Sequence, residues 1–192
     1  MDRIEDRFRP FAVSADRLRG LVEREAEASR TVATGQRSLA PALTVLSRGM
    51  GPDAPERTSV FVSAVPFDEH DQKHALLEGL GRQIYLAREI PMAAVLAAEA
   101  WSSERPEGAP DIEPRHDPGR REVIAVFGLA LVGAIGRGAM MAVTRDGQGR
   151  MTPGELEWLE GASSPLLRAF FRGFAGGLPA RLRAGLPILG EG

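Results

Sequence analysis

The segment Met92–Trp101, MAAVLAAEAW, carries no charged residue before Glu99. A short run that is apolar on both faces suits a strand in the middle of a covered sheet, because an edge or half-solvated strand would alternate apolar with polar side chains. The rest of the chain must therefore supply neighbouring strands and covering helices.

Those elements can be read on both sides of it. Ser14 is placed to cap a helix in which Leu18, Leu21, Val22 and Ala26 recur at helical spacing, ending near Ser29. The runs Pro41–Ser47 and Thr58–Val65 are short and rich in β-formers, and the Gly/Pro segment RGMGPDAPE between them predicts a hairpin. Asp68 caps a second helix, in which Leu77, Leu80, Ile84 and Ala87 form one apolar face.

Beyond the central strand, residues 102–120 contain four prolines and no periodicity, a long loop for a compact domain. Glu122–Leu131 and Arg137–Arg145 then read as two strands joined by a turn at Val132–Gly136. Thr152-Pro153-Gly154-Glu155 has capping-box spacing and predicts a short helix over Pro153–Glu160. The expected fold class is α/β (α+β): an N-terminal helix, then ββαβββ in a five-stranded mixed sheet. Both helices are expected mainly on one face, with short helices at the C-terminus.

Three parts follow from this plan. Residues 1–33 form an N-terminal amphipathic helix, 34–160 the α/β domain, and 161–192 an apolar, cationic appendage. The appendage holds Arg168, Arg172, Arg181 and Arg183 with no acidic residue before Glu191. Its Leu167, Phe170, Phe171 and Phe174 lie at helical spacing and are the candidate interface residues. They suit docking onto the body of the same or a neighbouring subunit; a separate protein and, for 161–190, a membrane surface are the other readings.

Composition excludes several chemistries. With no cysteine among 192 residues, disulfides, thiol nucleophiles, iron–sulfur clusters and thiolate zinc sites are out. A formal charge of −2 gives no general attraction for nucleic acid, so no nucleic-acid partner is expected. The opening MDRIEDRFRP lacks the apolar stretch of a secretory signal, and no window reaches membrane-span length, so a cytoplasmic location is expected. Neither a phosphate-binding G-x-x-x-x-G-K-[ST] nor a G-x-S-x-G nucleophile elbow occurs. The His-x-His pair required by metal-dependent isopeptidases is missing as well.

Two groups of residues can carry chemistry. His70 and His74 are four apart on the second helix, a spacing at which two imidazoles can share a divalent metal. Asp71 follows the first of them where a zincin segment has glutamate, which leaves a solvated first turn as the plainer reading; no cofactor is expected. The second group lies at the strand rim. Glu99, His116 and Arg121 are candidate catalytic residues, and Trp101, Asp117 and Glu122 candidate ligand-binding residues. A carboxylate ending an apolar strand either serves as a general acid or base or sits in an ion pair that fastens the long loop, with Arg120 or Arg121 as partner.

The strand ending Glu99-Ala100-Trp101 and the later Asp117-Pro118-x-x-Arg121-Glu122 resemble motifs of a diffuse group of uncharacterised bacterial and phage-associated proteins. The resemblance spans roughly Thr34–Thr144. It implies a compact α/β domain and no particular activity. The functional expectation is a non-enzymatic cytosolic interaction or scaffold protein that binds itself or another protein. The alternative is an enzyme or small-ligand protein using the rim site at Glu99, His116 and Arg121.

Overall fold

A computed structural model describes residues 7–51, 53–63, 70–103, 117–160, 162, 164–183 and 186. A 3-10 turn at Arg9–Phe11 precedes helix α1 (Ala15–Ala33). Strands β1 (Ala42–Gly49) and β2 (Glu56–Val62), helix α2 (His70–Leu86) and strand β3 (Glu89–Ser102) follow. Strands β4 (Arg121–Ala130), β5 (Gly136–Arg145) and β6 (Met151–Leu159) then lead to helices α3 (Pro165–Gly176) and α4 (Ala180–Arg183).

The α+β class expected from the sequence is the one observed. The six strands form one sheet in the order β2-β1-β3-β4-β5-β6, and every neighbouring pair is antiparallel. As predicted, β3 is central, and it is buried along most of its length. A β-bulge lies where β1 passes from Leu46 to Ser47: Ala93 and Pro91 are their partners, and Met92 is the extra residue.

The expected five-stranded mixed sheet is instead six-stranded and wholly antiparallel, and the placement of the helices and the type of one element differ as well. The two long helices lie on opposite faces of the sheet. Leu18, Leu21, Val22 and Ala26 of α1 pack with Val95, Ile124, Val126, Ala139 and Met141. Leu77 and Ile84 of α2 pack on the other face with Leu43, Ala94, Leu96 and Leu129. The sheet therefore has two apolar faces, which is why β3 alternates between two cores rather than between core and solvent.

The element that differs in type is β6, a strand where the capping-box spacing predicts a helix. Leu156 and Trp158 pack on the α1 side while Glu155 and Glu157 are exposed, the two-residue period of a strand. Pro153 sits at the sheet edge opposite Val143, beside an irregularity in the β5–β6 register, a position where a missing N–H is tolerated. The preceding turn is closed by Asp146, whose carboxylate accepts from the N–H groups of Gln148 and Arg150, both at 2.9 Å. Gly149 at φ +77° supplies the left-handed residue that the reversal needs.

Helix α3, placed by the sequence reading in a C-terminal appendage, is part of the core. Phe170, Phe171, Phe174 and Leu167 are fully buried against α2 and the sheet. Ser164 caps α3 by accepting from the Leu167 N–H at 3.3 Å. Close approach of α2 and α3 depends on glycines: a Cβ on Gly81 would overlap the Phe170 carbonyl and stand 2.8 Å from the Phe174 nitrogen. One on Gly173 would lie 2.6 Å from the carbonyl carbon of Glu78. The apolar, arginine-bearing composition that suggests an appendage instead reflects a helix whose buried side is turned entirely inward.

Candidate functional site

The polar residues singled out at the strand rim separate onto two faces. Glu99 pairs with Ile124, and Trp101 with Glu122, so all four project to the α1 side. Arg121 pairs with Ser102 and projects to the opposite side, where its guanidinium meets Met140 at 3.9 Å and Glu157 at 3.4 Å. The expected Glu99–Arg121 partnership is thus not formed; alternation along β3 and β4 forbids it. His116 lies outside the described residues.

Glu99 is held by a different arginine. Its carboxylate accepts from the Leu39 N–H and lies 3.5 Å from Arg145 Nη2. Arg145 also grips Glu122 with two prongs, Nε to Oε2 at 2.8 Å and Nη2 to Oε1. Its Nη1 donates to the carbonyls of Arg37 at 2.7 Å and Gly149 at 2.8 Å. Every N–H of the guanidinium has an acceptor, and the Glu122 hydrogen bonds hold its pKa above the ordinary arginine value.

This cluster fastens the connection that leaves α1. Besides the bonds to Arg37 and Leu39, the Gly35 N–H donates to the Met151 carbonyl at 2.9 Å, and the Met151 N–H to the Gln36 carbonyl at 2.7 Å. Four contacts thus tie residues 35–39 to the ends of β3, β5 and β6. The arrangement is that of an ion pair securing a loop, the plainer of the two sequence readings, with the loop after α1 in place of the Pro-rich one.

The remaining rim residues have local roles. The Asp117 carboxylate accepts from the Gly119 N–H at 2.8 Å, shaping the turn into β4. Arg120 stands over the Trp101 ring at 4.9 Å, and that ring is 45% exposed. His70 and His74 both lie in α2 at the expected spacing, but the side-chain position of His70 is outside the description. Among the described residues, no three histidine, aspartate or glutamate side chains are grouped to hold a metal ion.

Leu167, Phe170, Phe171 and Phe174 are buried within the chain's own fold and present nothing to a partner. Open apolar surface is found instead along strand β2 and beside α2. Strand β2 forms one edge of the sheet, with Val60 59% and Val62 64% exposed. Beside it is a groove of about 470 Å³ between β2 and α2, lined by Leu43, Phe61, Val62, Leu76 and Leu80. The N-terminal end of β2 is secured by two ion pairs, Arg17 of α1 with Glu56, and Arg57 with Glu89 at 3.7 Å. Sequence reading finds the hairpin but cannot tell which of its two strands is the edge.

Among the described residues no helix is long and apolar enough to cross a membrane. No protein-family model, curated protein or solved structure matches the chain.

Proposed function

We propose that the chain is a cytosolic, non-enzymatic interaction protein that self-associates by pairing β2 with β2 of a second copy. The observation that carries this reading is the exposure of Val60 and Val62 on the outermost strand, at 59% and 64%. An apolar edge strand is a template for further strand pairing, and monomeric proteins usually blunt such edges with lysine, proline or a covering element. Among Glu56–Val62 the charged residues, Glu56 and Arg57, stand together at one end of the strand and leave Thr58–Val62 without a charge.

The strand is compatible with its own copy. An antiparallel two-fold centred on Ser59 sets Thr58 against Val60, Arg57 against Phe61, and Glu56 against Val62 of the second copy. No like charges face one another, and β-branched residues meet on one side. The adjoining groove, with Leu76 45% exposed at its rim, extends the apolar contact beyond the strand.

Sedimentation equilibrium tests this reading. The full chain is expected to dimerise with concentration, and the double substitution Val60→Lys, Val62→Lys to give a monomer with an unchanged circular dichroism spectrum. A chain that stays monomeric up to millimolar concentration, or a dimer that persists in the double variant, overturns it.

A further inference from the structure

At the end of the sheet where β4 turns into β5, a second cleft of about 580 Å³ is lined by Arg19, Arg137, Trp158, Glu160, Ala162 and Arg168. Its residues come from α1, β5, β6, α3 and the segment between β6 and α3. Gly136 and Gly138 allow Ala162 to approach β5 closely. A Cβ on Gly136 would stand 2.7 Å from the Ala162 carbonyl oxygen, and one on Gly138 2.5 Å from the Ala162 Cβ.

Three guanidinium groups share the cleft with one carboxylate. Arg19 is already committed: it pairs with Glu23 at 3.1 Å and lies 4.6 Å above the Trp158 ring. Arg137 and Arg168 are half-buried and have no carboxylate partner among the described residues. The hydrogen bond of Arg137 Nη1 goes to the neighbouring Gly136 carbonyl at 2.9 Å. By contrast Arg17, Arg121, Arg145 and Arg172 each meet a glutamate. A half-buried guanidinium without a counter-charge loses hydration with nothing to replace it, so the missing charge is one that a ligand can supply.

We infer that this cleft binds a small phosphate-bearing anion, with Arg137 and Arg168 as its charge partners and Trp158 as an apolar wall. Two unpaired guanidinium forks match a dianion with several acceptor oxygens; a monocarboxylate would satisfy only one of them. The same oxyanion chemistry is offered by free phosphate and by a small organic phosphate, and the wall at Trp158 favours the latter. The site is separate from β2 and does not depend on the oligomeric state.

The test is isothermal titration of the full chain with inorganic phosphate, phenyl phosphate and benzoate at matched ionic strength. Tryptophan fluorescence is read in parallel on a Trp101→Phe background, so that Trp158 alone reports. Phenyl phosphate is expected to bind and to perturb Trp158, benzoate to bind more weakly. Arg137→Gln and Arg168→Gln should each lower affinity about tenfold or more, while Arg120→Gln, away from the cleft, leaves it unchanged. Equal affinity for both phosphates supports the site and identifies free phosphate as its ligand. Failure of both phosphates to bind, or binding unaltered in the two cleft variants, overturns the inference.

Discussion

Arg145 on β5 clasps Glu122 on β4 through two of its nitrogens, and the same guanidinium reaches Glu99 on β3 and the Arg37 carbonyl beyond α1. One side chain thereby joins three strands to the loop that carries the chain from helix to sheet. Its replacement by methionine keeps most of the apolar stem but leaves two carboxylates at the same rim without a cation. With side chains 30%, 28% and 17% exposed for Arg145, Glu99 and Glu122, solvent recovers part of the loss. Arg145→Met is expected to cost about 1–2 kcal/mol, read as a lower urea midpoint. A variant as stable as the parent would show that the cluster does not secure the loop.

Contact between α2 and α3 makes a sharper prediction. A methyl group at Gly81 or Gly173 meets backbone atoms of the facing helix, which cannot rotate away. Gly81→Ala should destabilise by more than the ~1 kcal/mol that the same change ordinarily gains from helix propensity. Gly79→Ala, with nothing within 4 Å of the added carbon, should be neutral or stabilising. Thermal unfolding of the two variants side by side decides it, since equal behaviour would mean the helices do not approach as described.

The placement of α3 in the core is testable by truncation of a single ring. Phe170 is fully buried and meets Phe171 edge-on at 5.2 Å between centroids. Phe170→Ala should cost about 3–5 kcal/mol, seen in denaturant unfolding. An exposed docking helix would lose almost nothing on the same change, so a midpoint within error of the parent would return α3 to the surface.

The Arg17–Glu56 pair gives stability a pH dependence of known sign. Hydrogen bonding to Arg17 holds the Glu56 carboxyl below its ordinary value of 4.5 in the folded chain. Between the two values the unfolded chain binds more protons, so the stabilisation is complete above about pH 4.5 and fades as pH falls through the folded value. Both side chains are more than a third exposed, which limits the effect to about 0.2–1 kcal/mol. Glu56→Gln should lower the urea midpoint slightly at pH 7 and not at pH 2.5; a difference that persists in acid would point to packing instead of charge.

Element type was legible in the sequence wherever periodicity was unambiguous. Ser14 caps α1 as its position implies, accepting from the Arg17 N–H at 3.2 Å. The apolar run at Met92 does form the central strand. Where two local signals compete, as at Thr152–Glu155, neighbouring strands decide: pairing with β5 satisfies the backbone of Met151–Leu159 and outweighs a capping pattern that is worth little alone.

The rim cluster and the cleft were not legible, because both depend on which strands are neighbours and which residues share a face. Glu99 and Arg121 are close enough along the chain to suggest a pair, yet alternation sends them to opposite sides. Arg145 is 46 residues from Glu99 and becomes its partner only through the β3-β4-β5 order. Local patterning by itself determined α1, α2, strands β1 to β5 and their apolar positions, since those follow from the spacing of side chains along one segment. Only the tertiary structure decided which charges meet, because pairing across a sheet joins positions that no local period relates.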